Sequence, residues 1–246
     1  MDKPAQTCDD VTDMSDDNQA TGPRARNRAA VESRLRTVGH RHLAEHGAAG
    51  LSLRAVARDM EITPSALYRY VRDRDALLTL LIVDAYTDLA DSIDAAVARH
   101  RSGRTRFTAF AGALRDWALA NPSEYALLYG SPVPGYRAPR EQTNPAGERP
   151  LIALASILTD AGSAPDVAGT DPRVQSAAAR ALGLLSDDPA VPAGADAAVL
   201  ARGIAVWNLL LGSITSELFE QLGPVTDDPA TLYAGVVDLG AALLFG

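Results

Sequence analysis

The chain has 246 residues, an apolar fraction of 47%, an aromatic fraction of 5% and a net charge of −8 at pH 7. Its length suits two modest domains or one large one, and its Ala- and Leu-rich, aromatic-poor composition favours helix over sheet. Lys3 is the only lysine and Cys8 the only cysteine. This excludes a lysine-bearing phosphate loop, a Schiff base in the folded part, an internal disulfide and a thiolate metal cluster.

Charge is unevenly distributed. Residues 1–20 carry Lys3 against six Asp, a net of −5; residues 21–75 carry a net of +5, and residues 76–246 a net of −8. A basic segment on an acidic body implies one surface that attracts a polyanion. The N-terminus has no apolar h-region, so it does not read as a signal peptide. The most apolar run, Gly203 to Ile214, is shorter than the roughly 20 residues a bilayer span requires. The expected setting is cytoplasmic, with no membrane partner.

Residues 1–22 are Asp-rich without apolar periodicity and read as a disordered acidic tail. A first helix is expected from about Arg26 to His46, with Val31, Leu35, Val38 and His42 or Leu43 on one face and Gly47 at its end. Ser52 can cap a second helix whose buried stripe is Leu53, Val56, Ala57 and Met60. Thr63 can cap a third, with Pro64 at its favoured first position. Leu51 with Val56 and Ile62 with Leu67 are spaced as hydrophobic staples, which specifies two short helices instead of one long one. Asp73 then caps a long fourth helix to about Arg99, marked by Leu77, Leu81, Ala85, Leu89, Ile93 and Val97. Further helices are expected at about 104–120, 122–130, 148–161, 171–185, 195–222 and 229–245. Segments 131–147, 162–170 and 186–194 read as loops, and no stretch alternates as a strand.

Two short helices joined by a turn are how a small helical domain enters a DNA major groove. Treating Pro64 to Arg72 as a helix turning 100° per residue, Leu67 and Val71 face inward. Ser65 and Arg69 then face outward, flanked by Ala66 and Arg72, with Tyr68 and Tyr70 at the two edges. An outward Arg69 can take a guanine through two hydrogen bonds, the Ala66 methyl can meet a thymine methyl, and the tyrosines can reach phosphates. Arg54 and Arg58 share the exposed side of the preceding helix, and Arg74 opens the fourth, where free backbone N–H groups favour a phosphate. Arg24, Arg26 and Arg28 precede the first helix and can form an arm. Any one of these arginines reads equally as solvated surface; the agreement of caps, staples, tyrosines and charge favours DNA.

The residues Leu51 to Ala57, Ile62 to Val71 and Asp73 to Leu77 resemble the TetR family of one-component regulators, over about 50 residues from Ala29 to Leu78. The resemblance implies an all-α protein, a dimeric repressor. It assigns 23–72 to a helix-turn-helix DNA-binding domain and 73–246 to a ligand-binding and dimerisation domain, with Thr63 and Pro64 opening the reading helix. Two positions depart from the family pattern: Arg74 stands where Lys is usual, which keeps the charge, and Val71 where a bulkier residue is usual.

Trp207, Leu211, Ile214 and Leu218 are spaced 4, 3, 4, as are Leu232, Val236, Leu239 and Leu243. Such seams suit a helical bundle, within one chain or completed by a two-fold partner. The family resemblance makes Leu211 to Leu218 and Leu232 to Leu243 the expected homodimer interface. The segment Asn121 to Tyr136 and the run Trp207, Gly212, Glu217, Leu218, Phe219 are similar to a C-terminal domain type seen in actinobacterial members of the family. Phe107, Phe110, Trp117, Tyr125, Leu128, Tyr129 and Trp207 are candidate walls for an apolar or amphipathic effector, although aromatics in a helical domain with few of them are more often core.

Catalytic motifs such as G-x-S-x-G, H-E-x-x-H and G-x-G-x-x-G are absent from the sequence, and no cofactor is expected. His42 and His46 share a helix face at a metal-compatible spacing, but no carboxylate joins them in a recognised motif, and no metal is expected. The expected function is a ligand-released repressor on a palindromic operator. The alternatives are an activator on the same scaffold, or a helical enzyme or carrier of a hydrophobic small molecule.

Overall fold

A computed structural model describes residues 22–161, 171–181 and 197–246. The described residues form helices and connecting turns: α1 (Pro23–Gly50), α2 (Leu53–Asp59), α3 (Pro64–Leu67), α4 (Arg74–Val97), α5 (Gly103–Ala120), α6 (Pro122–Tyr129), α7 (Arg140–Gly147), α8 (Arg149–Ala161), α9 (Pro172–Ala181), α10 (Ala197–Leu218) and α11 (Pro229–Phe245). The expected tail at 1–21, the loops at 162–170 and 186–194 and the helical stretches at 182–185 and 195–196 lie outside the described residues.

Local chemistry accounts for several helix starts. Thr63 accepts a hydrogen bond from the Ala66 amide at 3.2 Å and Asp73 from the Ala76 amide at 2.7 Å. Each thereby satisfies one of the amides that a helix start leaves unpaired. Ser102 and Asp228 cap α5 and α11 in the same way. Ser52 occupies the cap position of α2 but its side chain makes no cap bond. α1 runs to Gly50, past the expected end, and bends at Gly47, whose φ of 66° is cheap only without a Cβ.

Two apolar clusters divide the interior. The first joins Leu35, Val38 and Leu43 of α1 with Leu51, Val56, Ala57, Met60, Leu67 and Val71, and takes Leu77, Leu78 and Leu81 from α4. Both expected staples fall within it, with Ile62 half-buried at its margin. The helices approach closely at Gly39, where an added Cβ would stand 3.0 Å from a Leu81 methyl. The second cluster takes Ala85, Leu89, Ile93 and Val97 from the same α4 and packs them against α5, α6, α8, α10 and α11. Its helices approach most closely at Gly203, whose added Cβ would lie 2.6 Å from a Leu158 methyl, and next at Gly240, 3.0 Å from Val206 and 3.1 Å from Phe107. α4 therefore contributes to both cores. At 1.5 Å per residue α4 is about 36 Å long, and it touches α1 at one end and α5, α7 and α8 along the other.

Two further departures matter. Residues 140–147, expected within a loop, form α7 with Pro145 inside it. Pro lacks an amide proton and usually breaks a helix interior, but here it lies only five residues after the helix start, in a segment of eight. The apolar helix expected around Gly203 to Ile214 is α10, 22 residues long and apolar enough by composition to cross a membrane. Val199, Val206, Trp207, Leu210 and Ile214 bury one side of it in the second cluster.

Candidate functional site

The reading segment is shorter and tighter than a regular helix to Arg72. α3 ends at Leu67, and the chain continues through turns in which the Arg69 amide bonds to the Ala66 carbonyl at 3.3 Å and the Tyr70 amide to Leu67 at 2.9 Å. Such i to i−3 bonding turns the chain faster than 100° per residue. The expected spacing of side chains past Tyr68 is corrected accordingly. Ser65, Tyr68, Arg69 and Arg72 are exposed, Thr63 and Pro64 also, and Ala66 is half-buried. Tyr68 keeps 53% of its surface open. Tyr70 does not mirror it: the ring is half-buried against the first cluster, with the Arg28 guanidinium 5.9 Å from its centroid. The second turn of α1 thus lies beside the reading segment.

Arg54 and Arg58 are exposed on α2, Arg58 with Asp59 at 3.6 Å. Arg74 is different. Its Nε donates to the Leu51 carbonyl at 3.2 Å, and its terminal nitrogen to Ala48 at 2.7 Å and Ala49 at 3.1 Å. These carbonyls lie at and beyond the bend in α1, where the helix has no amides left to offer. The Arg74 guanidinium thereby ties α4 to the α1–α2 turn. His42 is likewise internal. It is 2% exposed and its Nε2 lies 2.9 Å from Asp59 Oδ2, while His46 stacks edge-on at 5.5 Å. The His42 hydrogen bond, with help from Arg41, holds the Asp59 carboxyl below its ordinary range against desolvation.

A polar cluster joins the reading head to the body. His40 of α1 places Nδ1 2.9 Å from Glu124 Oε1 of α6 and Nε2 3.7 Å from Asp84 Oδ2 of α4. Arg36, one turn earlier, pairs with Asp84 through the other oxygen. Glu124 is held below the usual carboxylate range, first by its hydrogen bond from His40.

All seven candidate effector walls come together in the second cluster. Phe107, Phe110, Trp117, Tyr125 and Trp207 are buried, and Leu128 and Tyr129 pack against them. Trp207 stands 6.1 Å from Phe110 and 5.9 Å from Tyr129, which is 5.3 Å from Tyr125. Burial pushes the Tyr129 phenol far above its ordinary value, so it is a neutral hydroxyl. Sequence reasoning missed three partners. Tyr86 meets Tyr129 at 6.1 Å, Asp88 accepts the Trp117 indole N–H at 2.8 Å, and Arg115 forms a two-pronged pair with Glu217 at 2.8 and 2.6 Å. The available signal was Glu217 itself, a carboxylate inside the apolar run of α10.

The expected interface residues divide. Ile214 is fully buried inside the chain and belongs to its own core, because the seam turns inward there. Leu211, Leu218, Val236 and Leu243 are partly buried against the second cluster. Leu232 and Leu239 point outward, 49% and 54% exposed. A half-open groove of about 770 Å³ runs between α10 and α11, past Asn208, Gly212, Ser216, Glu217, Leu232 and Val236.

Comparison with known proteins agrees with this architecture. Residues 107–239 match the model of the tetracyclin repressor-like C-terminal domain. The HTH-type transcriptional regulators Rv1816 of Mycobacterium tuberculosis and Mb1846 of Mycobacterium bovis are 38% identical over 228 residues, 91% of this chain and 96% of theirs. The crystal structure of the regulatory protein SCO4313 superposes with a TM-score of 0.72 at 32% identity, covering 89% of this chain and 98% of that one. The TetR family regulator PfmR of Thermus thermophilus shares the fold, with a TM-score of 0.52 at 16% identity over 85% of this chain and 97% of that one. With a helix-turn-helix head, a matching C-terminal domain and relatives of this identity and coverage, the chain belongs to the TetR family of DNA-binding transcriptional regulators.

Proposed function

We propose that this regulator is a dimeric repressor that holds a palindromic operator and lets go when an apolar or amphipathic small molecule enters its C-terminal domain. The observation that carries the reading is the set of exposed side chains Ser65, Tyr68 and Arg69, held on an apolar head whose remaining exposed side chains include Arg54, Arg58 and Arg72. Base edges face Ser65 and Arg69, and phosphates face Arg54, Arg58, Arg72 and the Tyr68 hydroxyl. Two such heads fit successive major grooves about 34–36 Å apart.

The two-fold partner sits on α10 and α11, where Leu232 and Leu239 leave apolar surface open. The effector lodges among the aromatic side chains around Trp207 and Tyr129, where a neutral hydroxyl offers orientation without charge. Entry there shifts α6, and the His40–Glu124 contact passes that shift to α1. A ligand moves this balance only by binding one arrangement better than the other.

Gel-shift titration of duplexes from the chain's own upstream DNA tests the reading. Salt-sensitive binding to one palindrome, weakened when half a helical turn is inserted between the half-sites, is the expected result. Equal affinity for every duplex, or indifference to the insertion, would overturn the two-headed operator model.

A further inference from the structure

We infer that the acidic segment 1–20 docks on the basic reading face of this same chain and competes with DNA for it. The inference rests on the DNA-reading role of that face. The first observation is charge. Residues 1–20 carry Asp2, Asp9, Asp10, Asp13, Asp16 and Asp17 against Lys3 alone, a net of −5. Residues 21–75, which hold the reading head, carry a net of +5, and the rest of the chain a net of −8. The head is therefore the part of this molecule that attracts a polyanion, and the acidic body repels one.

The second observation is position. The segment enters the structure at α1, and Arg28, one and a half turns in, already lies against Tyr70 at the end of the reading segment. Asp17 is six residues before Pro23, so full extension still leaves it within about 20 Å of that helix start. Asp16, Asp13, Asp10 and Asp9 follow at increasing reach. Tethering at this point holds five carboxylates near Arg54, Arg58, Arg69 and Arg72, all exposed, at an effective concentration on the order of millimolar. Phosphates and aspartates then compete for the same guanidinium groups, and DNA binding must first release the segment. Because the released aspartates take counterions back up, the net counterion release on DNA binding falls. Non-specific binding suffers most, since it has only the phosphate contacts to offer, so the segment sharpens discrimination between operator and other DNA.

The test compares the full chain, the chain lacking residues 1–20, and the full chain carrying Asp9→Asn, Asp10→Asn, Asp13→Asn, Asp16→Asn and Asp17→Asn. Both altered forms are expected to bind random-sequence duplex on the order of tenfold more tightly at about 50 mM salt, with a steeper salt slope and convergence with the parent by about 300 mM. Equal binding by all three forms at every salt concentration overturns the inference. Simple repulsion between the segment and phosphates would give the same ordering, so docking is read directly. Cys8, the single thiol, carries a nitroxide, and broadening of backbone amide signals is followed without DNA. Docking predicts broadening over Arg54 to Arg72 at low salt that disappears on adding duplex. No broadening, or broadening confined to the basic turn Arg99 to Arg106, overturns it. If no form binds any duplex, the DNA-reading role fails, while the nitroxide measurement, made without DNA, still decides whether the segment docks.

Discussion

Arg69 and Arg74 lie five residues apart in opposite surroundings. Arg69 is exposed on the reading segment, while the half-buried Arg74 guanidinium holds three backbone carbonyls of the α1–α2 turn. Hydrogen bonds from a charged donor contribute about 1.5–3 kcal/mol each at best, and solvent access lowers that figure. Arg74→Ala is expected to cost about 1–3 kcal/mol of stability, lowering the thermal midpoint whether or not DNA is present. Arg69→Ala is expected to leave the midpoint alone and to flatten the preference among operator variants. Thermal melts beside competition binding check the pair; weaker DNA binding by Arg74→Ala at unchanged midpoint would return that residue to the phosphate contacts. The contrast also marks what the sequence makes legible. The Thr63 and Asp73 caps could be read because cap and amide are three residues apart and the geometry is local. The Arg74 partners are 23–26 residues away, and only the packing of α4 across α1 brings them together.

At the scale of elements, helix starts and buried stripes were legible wherever one periodicity ran unbroken, as along α4. The failures come where tertiary contact overrides local pattern. α3 tightens after Leu67, α7 forms despite Pro145, and the seam of α10 turns Ile214 inward. The polar contacts between elements were not legible, because His40 and Glu124 are 84 residues apart and Arg115 and Glu217 are 102 apart. Each supports a prediction. The Glu124 carboxyl is held below its ordinary value by His40, so its contribution is present above the ordinary carboxylate range and is lost as pH falls through the depressed value. Glu124→Gln is expected to lower stability at neutral pH and to make the acid limb of a stability–pH curve shallower; an unchanged acid limb would show that the contact is not energetically coupled. For Arg115 and Glu217, both with 16% of the side chain exposed, removing one partner strands the other charge, at a cost of about 3 kcal/mol. Arg115→Met with Glu217→Met together is expected to cost less than either single change, as a double-mutant cycle in denaturant reads.

At the scale of the whole molecule, α4 contributes side chains to both apolar clusters and so spans the head and the body. In the proposed dimer, the spacing of two heads follows from how two bodies meet, so a change at the α10–α11 face must appear in DNA binding although that face touches no DNA. Leu232 and Leu239 are the positions to alter, because each exposes about half its surface and neither belongs to the interior core. Leu232→Glu with Leu239→Glu places two charges at the centre of an apolar contact, and desolvating an unpaired carboxylate costs several kcal/mol. The variant is expected to sediment as a monomer with its helical content and thermal cooperativity retained. Its affinity for a single half-site is expected to match the parent's, and its affinity for the palindrome to fall to that same value. The parent gains on the palindrome because its second head binds at an effective concentration set by the first. Sedimentation and half-site titration therefore separate the possibilities. A variant that stays dimeric places the interface elsewhere, and a monomer that keeps the full palindrome affinity removes the link between two-fold symmetry and operator recognition.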